Sequence, residues 1–114
     1  MEPASEIAVA FASALVIGDF DRAHNLLTPA LRQQLSPEKL CEKLYGMFRL
    51  YATSEPKRIW FDDGSVMNWP LEFPTDVGSF YVGIEGDDFL EAVTVTVTDV
   101  GGQYLIRDII WGRP

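Results

Sequence analysis

The spacing of apolar residues changes once along the chain, after Glu55–Pro56, and this change restricts the fold more than any other feature. Before it, apolar residues such as Ile7 and Phe11 recur every three to four positions, the period of an amphipathic helix. After it, apolar and polar residues alternate, most clearly from Phe89 to Thr98, as in a half-buried strand. Helices followed by antiparallel strands predict an α+β fold in which the N-terminal helices pack on one sheet face. The length of 114 residues fits one domain, residues 1–114.

Capping residues divide the helical half into four helices. Asp19, Thr28 and Ser36 are each followed by a helical pattern, and Thr28 and Ser36 precede a proline that suits the first helical position. Gly18 suits the position that follows a helix end. The predicted helices run from Pro3 to Ile17, from Asp19 to Leu27, from Thr28 to Leu35 and from Ser36 to about Leu50.

Turn residues divide the second half into strands. Asp62–Gly64 predicts a hairpin between Arg58–Phe61 and Ser65–Trp69, and the prolines of Pro70–Thr75 predict a loop or an edge segment. Three long strands are predicted over Ser79–Glu85, Phe89–Thr98 and Gln103–Trp111, with turns at Gly86–Asp87 and Val100–Gly101.

The turns also predict which side chains face the helices. Two-residue turns put Ile84 opposite Phe89 and Val97 opposite Tyr104, and a longer second loop over Asp99–Gly102 is predicted to leave the faces unchanged. The predicted core face carries Phe80, Val82, Ile84, Phe89, Val93, Val95, Val97, Tyr104, Ile106 and Ile110. The same face takes Glu91 and Asp108 as diagonal neighbours, although a one-residue change in either turn would separate them.

The opposite face of the predicted sheet is more apolar than a face in water needs to be. We therefore predict a homodimer built through this outer face, with a C-terminal segment or another chain as the alternative cover. The predicted dimer surface consists of Thr94, Thr96, Leu105, Arg107, Ile109 and Trp111.

Charge is unevenly distributed along the chain. The net charge is -8, and Ile59–Ile106 contains nine acids but no Lys, Arg or His. Nucleic acids and anionic membrane surfaces are therefore poor partners, because both are bound through basic residues. The acids can offer a landing site for a basic protein, or they can simply keep the turns of a small sheet soluble.

Few residues of this chain suit a metal or a covalent cofactor. A single Cys and a single His exclude a disulfide framework and an ordinary zinc site, and the chain carries no Gly-rich phosphate loop and no haem motif. We expect no cofactor and no metal. The apolar run Ile7–Ile17 follows acids rather than bases and is too short to span a bilayer, which predicts a buried helix of a cytoplasmic protein.

The helical half resembles the opening of the nuclear transport factor 2-like superfamily, also called SnoaL-like or cystatin-like. The similarity lies in Ala10-Phe11, Gly18-Asp19-Phe20, Leu26-Leu27 and Pro29-Ala30-Leu31-Arg32. It implies a curved, cone-like α+β barrel over nearly the whole chain, a pocket between sheet and helices, and frequent homodimers. Because the superfamily includes isomerases and dehydratases as well as binding proteins without catalysis, the fold alone does not fix the function.

Two kinds of site follow from the predicted core face. Asp108 and Glu91, with His24 from the second helix, are candidates for acid–base catalysis, because carboxylates on an apolar face have raised pKa values. The alternative is that both acids lie hydrated near strand ends and that His24 is an ordinary helix residue. Candidate ligand-binding residues are Trp60, Tyr104, Asp108, Glu91 and His24, although Trp60, Trp69 and Trp111 also suit a core or an interface.

Three functions agree with these features. The first is a non-catalytic module that binds a small apolar ligand or a protein. The second is an isomerase- or dehydratase-type enzyme that uses Asp108 with His24, and the third is an acidic protein that neutralises a basic partner, as immunity proteins do. Without a nucleophile motif or a second His, the sequence favours the first.

Overall fold

A computed structural model describes residues 2–62, 66–67 and 72–113 and confirms the α+β class. In these residues four helices precede five strands, and the curved antiparallel sheet lies in the C-terminal half. The helices are α1 (Pro3–Ile17), α2 (Phe20–Asn25), α3 (Pro29–Gln34) and α4 (Pro37–Gly46). The strands are β1 (Arg58–Trp60), β2 (Val66–Met67), β3 (Asp76–Glu85), β4 (Leu90–Val100) and β5 (Gln103–Trp111).

The predicted caps form at the helix starts. Asp19, Thr28 and Ser36 each accept a hydrogen bond from the backbone amide three residues later, at 3.1, 3.3 and 3.2 Å. Gly18 adopts the left-handed conformation with φ of 82°, which ends α1. Helix α4 ends at Gly46, earlier than predicted, and the chain continues in hydrogen-bonded turns as far as Ala52.

The predicted hairpin of the two short strands is wrong. Strands β1 and β2 both pair with the same edge of β3 rather than with each other: Ile59 lies opposite Ile84, and Val66 lies opposite Phe80. Each short strand therefore forms its backbone hydrogen bonds with β3 instead of with the other short strand. Of this region, 63–65 and 68–71 lie outside the described residues.

The core-facing side of β3 and β4 is as predicted, although the turn between them is not. Glu85 pairs with Leu90, so the connection has four residues instead of two. A shift of two residues keeps each side chain on its face, because the side-chain period of a strand is two. Under α1, the face is fully buried at Phe80, Val82, Ile84, Val93, Val95 and Val97.

A β-bulge in β5 reverses the faces of its last residues. Val97 lies opposite Ile106, but the next residue back, Thr96, lies opposite Asp108. Arg107 is thus the extra residue. The predicted faces of four residues are therefore wrong: Ile109 and Trp111 lie on the core side, and Asp108 and Ile110 lie on the outer side.

Contacts that are distant in sequence surround this bulge. The Arg107 guanidinium forms two hydrogen bonds of 2.9 Å with the Asp76 carboxylate, whose side chain is fully buried. One residue earlier, the Ile106 amide donates to Leu26 and its carbonyl accepts from Thr28. The free edge of β5 is thereby joined to the α2–α3 connection just before the strand bulges. Within the described parts of the chain, no helix has the length and apolar character needed to cross a membrane.

Candidate functional site

Glu91 is the predicted site residue that the structure places on the core side next to an open cleft. It lies near the start of β4 opposite Ile84, and 8% of the residue is exposed. The last residue of β5, Trp111, pairs with Val93, so β5 ends before it reaches Glu91. A carboxylate at this depth needs hydrogen-bonding or charged partners, because burial without them is costly.

The turn after α4 brings one such partner to Glu91. Phe48 stacks on Phe89 with ring centroids 3.8 Å apart, which fixes the turn on the start of β4. Asp88 holds the following residues by accepting hydrogen bonds from the amides of Thr53 (2.8 Å) and Ser54 (3.1 Å). The segment between these two anchors carries Tyr51.

Tyr51 donates its hydroxyl hydrogen bond to Oε2 of Glu91. Loss of solvent around the hydroxyl, together with this bond and the negative charge of Glu91, raises the pKa of Tyr51 to about 12. The phenol therefore stays protonated at neutral pH and acts as a fixed donor to the carboxylate.

The end of the chain supplies the second partner. Gly112 has φ of 102°, a left-handed conformation that favours glycine, and its amide donates to the Ala92 carbonyl at 2.8 Å. The chain thereby turns so that Nε of Arg113 lies 3.9 Å from Oε1 of Glu91. This distance makes an ion pair but is too long for a hydrogen bond.

These elements surround a cleft of about 430 Å³, which we call the Glu91 cleft. Its volume falls within the range of about 300–1,000 Å³ that is typical of small-molecule sites. Trp111 is fixed on the sheet side by an edge-to-face contact with Phe11, with centroids 6.4 Å apart. The lining residues are Glu42, Lys43, Gly46 and Met47 from the helical side and Glu91, Trp111 and Gly112 from the sheet.

The structure does not bring the other predicted acid–base residues to this cleft. Asp108 is exposed on the outer face, where its carboxylate accepts a bond from the adjacent Ile109 amide at 3.0 Å. His24 is half-buried, with Nε2 3.1 Å from the Arg32 carbonyl. The predicted proximity of Asp108 to Glu91 is therefore wrong, because the bulge at Arg107 turns Asp108 outward.

Two of the aromatic candidates, Trp60 and Tyr104, also lie away from the cleft lining. Trp60 is 52% exposed and pairs with Gly83 on the outer face. Tyr104 is on the core side, as predicted, and packs half-buried against the core. Trp69 lies outside the described residues. Neither Trp60 nor Tyr104 lines the Glu91 cleft.

The outer face differs from the predicted dimer surface. Thr94, Thr96 and Leu105 are already buried within the single chain. Arg107 stacks over the Phe73 ring at 4.7 Å and lies 3.8 Å from Glu72, so the chain itself covers this end of the sheet. Since Ile109 and Trp111 face the core, the predicted surface loses two of its three large apolar side chains. Self-association stays a prediction.

Several acids of the base-free stretch have basic partners from outside it. Asp87 lies 2.6 Å from the Lys57 ammonium group, and Glu85 pairs with Arg58. Arg107 binds Asp76. Burial alone would raise the pKa of Asp76, but hydrogen bonds from Arg107 and the Phe73 amide lower this pKa below its ordinary value. Basic residues from outside Ile59–Ile106 therefore offset part of the negative charge of this stretch in the folded protein.

Sequence reasoning missed several residues at the cleft. Tyr51 lies in an irregular turn, where no periodic pattern predicts a side-chain direction. Met47 falls within the predicted helix to about Leu50 but lies just after the observed end of α4, and the bulge reverses the predicted face of Trp111. The ion pair between Glu91 and Arg113 cannot be predicted from their positions in the sequence, because it depends on the turn of the chain at Gly112.

A scan against protein-family models found no match for this chain, and neither did searches of curated proteins and of solved structures. The fold and the cleft define an α+β domain with an almost fully buried carboxylate at an open cavity. Across the described residues, no three His, Cys, Asp or Glu side chains are grouped so that they could hold a metal ion.

Proposed function

We propose that this protein is a non-catalytic binding module that holds a small molecule in the Glu91 cleft. The observation that carries the proposal is a carboxylate that is almost fully buried yet lines an open cavity of ligand size. Trp111 and Met47 add apolar surface beside it, so the cleft combines apolar contact with one fixed polar group.

The chemistry around Glu91 favours binding over catalysis. A general acid works best when its pKa lies near the pH at which it operates. Tyr51, the described group that donates to Glu91, has a pKa of about 12 and gives up its proton poorly at neutral pH. The alternative enzyme, with Asp108 and His24, receives no support from a geometry in which Asp108 faces outward.

Two further considerations bear on the proposal. The resemblance to the nuclear transport factor 2-like superfamily implies a pocket between helices and sheet, which agrees with a cleft between α4 and the sheet. The third function, neutralisation of a basic protein, is weakened because Asp76, Glu85 and Asp87 already have basic partners.

Gly46 allows a direct test of the cleft. It lines the cavity, and a Cβ added there meets no atom within 4 Å. Gly46→Phe would fill the cleft, whereas Gly46→Ala leaves it open and serves as the matched control. Both replace the last residue of α4 at a position with open space for a Cβ, so both should fold, and the alanine should gain at most about 0.5–1 kcal/mol.

The measurement is an amide NMR titration with three probes that share a phenylethyl frame: 2-phenylethylammonium, 2-phenylethanol and 3-phenylpropanoate. We expect at least one probe to shift the Met47, Glu91 and Gly112 amides and the Trp111 indole in the wild type and in Gly46→Ala, but not in Gly46→Phe. If no probe shifts these signals, or if Gly46→Phe binds as the wild type does, the proposed function is refuted.

A further inference from the structure

The Glu91 carboxylate has acceptor capacity that its partners do not use. An ionised carboxylate offers about four lone-pair positions on its two oxygens. Among the described residues, Glu91 accepts one hydrogen bond, from the Tyr51 hydroxyl at Oε2. Oε1 has only the ion pair with Arg113 at 3.9 Å. Oε1 therefore keeps acceptor capacity that a ligand in the cleft can use for a direct hydrogen bond.

The ion pair with Arg113 indicates that Oε1 favours a cationic group, and Arg113 itself is easy to displace. Its side chain is 56% exposed, and it follows a glycine at the end of β5. A partly exposed ion pair of this length contributes little to stability, since such pairs are screened by water and salt. Another cation with better geometry can therefore replace Arg113 without disturbing the fold.

The other charges of the cleft do not oppose a cation. Glu42 and Lys43, both exposed residues of α4, add one negative and one positive charge to the lining and so no net charge. The fixed charge inside the cleft is that of Glu91. Beside it, the Trp111 ring offers a face on which a cation or an apolar group can pack.

We propose that the Glu91 cleft binds a small organic monocation, an amine or a guanidinium on an apolar body, which takes the place of Arg113 at Oε1 of Glu91. This inference rests on the proposed function and adds the chemical class of the ligand. The cationic group donates to Glu91, and the apolar body lies between Trp111 and Met47.

The three phenylethyl probes separate this inference from the proposed function. At low salt we expect 2-phenylethylammonium to bind about fivefold to tenfold more tightly than 2-phenylethanol. The reason is that a hydrogen bond from an ammonium group to a carboxylate is stronger than one from a neutral hydroxyl. We expect no binding of 3-phenylpropanoate. If the alcohol or the anion binds as tightly as the ammonium compound, the cation inference is refuted while the cleft remains a binding site. If none binds, the proposed function itself is refuted.

Two variants test the residues involved. Glu91→Gln keeps an acceptor for Tyr51 and should remove the preference for the ammonium probe over the alcohol. Arg113→Gln should raise the affinity for the ammonium probe about twofold to fivefold, as expected from removing a weak competing ion pair, and should leave the alcohol unaffected. Arg113→Lys is the charge-conserving control. Because the Arg113 side chain is 56% exposed, its variants remain informative even if Glu91→Gln folds poorly. An unchanged affinity in Arg113→Gln would contradict the replacement of Arg113 by the ligand.

Discussion

Replacement of Arg107 by methionine tests whether the ion pair at the bulge stabilises the sheet. Arg107 forms two hydrogen bonds of 2.9 Å with Asp76, whose side chain has 0% exposure, while Arg107 itself is 23% exposed. Methionine keeps an unbranched stem of similar reach but leaves the carboxylate buried without its counter-charge. Breaking a buried pair in this way costs about 3–5 kcal/mol, a large part of the roughly 5–15 kcal/mol that stabilises a domain.

The pH dependence of this loss follows from the pKa of Asp76. In the wild type, hydrogen bonds from Arg107 and Phe73 outweigh burial and lower this pKa below 3.8. The lowered value contributes stability above the ordinary pKa, and this stability is lost as the pH falls through the native pKa. Without Arg107, burial raises the pKa, so the carboxyl group protonates more readily. The stability deficit of Arg107→Met should therefore be greatest at neutral pH and should shrink as the pH falls toward about 4.

Urea unfolding followed by far-ultraviolet circular dichroism measures the deficit at both pH values. The control is the double variant Asp76→Asn with Arg107→Met, which removes the buried charge and should recover part of the lost stability at neutral pH. A deficit below about 1 kcal/mol would be in the range of an exposed pair and would refute the assigned role. A deficit equal at both pH values would refute the argument from the Asp76 charge.

Two further variants test the connection that carries Tyr51 to Glu91. Asp88→Asn should lower the melting temperature at neutral pH, because hydrogen bonds from the Ser54 hydroxyl and the adjacent loop lower the pKa of Asp88 to about 2. That contribution is lost as the pH falls from the ordinary aspartate value toward about 2, so thermal unfolding at low pH should show a smaller difference, and an undiminished difference would contradict the hydrogen-bond assignment. Gly86→Ala should cost about 1–3 kcal/mol in urea unfolding, since the added Cβ would lie 2.6 Å from the Glu55 carbonyl oxygen. Gly46→Ala is its open-space control, and equal stability of the two variants would refute the packing argument.

Local signals account for the parts of the fold that the sequence predicts well. Asp19, Thr28 and Ser36 cap helices because their side chains reach amides only three residues away. The bounds of β5, Gln103–Trp111, also match the prediction. Even the wrong turn between β3 and β4 left Glu91 on its predicted face, because the error was two residues and the strand period is two.

Predictions that required a choice between distant partners failed. Asp62–Gly64 has the composition of a hairpin turn, yet β1 and β2 both pair with β3. Alternation describes a strand but does not identify the strand beside it. Nor does a charge count along the chain identify partners: nine acids without a base in 59–106 suggest a uniform negative field, whereas Lys57, Arg58 and Arg107 meet several of them in the fold.

The bulge at Arg107 shows how one residue determines the composition of the candidate site. From Ile106 to Trp111 the sequence suits β5 with or without the bulge. Ile110 would face the core without it, and Ile109 faces the core with it. Local preference therefore does not decide between them, and the contacts that accompany the bulged register are distant in sequence: Arg107 with Asp76, and the Ile106 backbone with the α2–α3 connection. The same bulge turns Asp108 away from the helices and brings Trp111 to the Glu91 cleft. The bulge thus places an aromatic ring, rather than the predicted second acid of the sheet, beside Glu91, and the proposed binding site rests on this exchange.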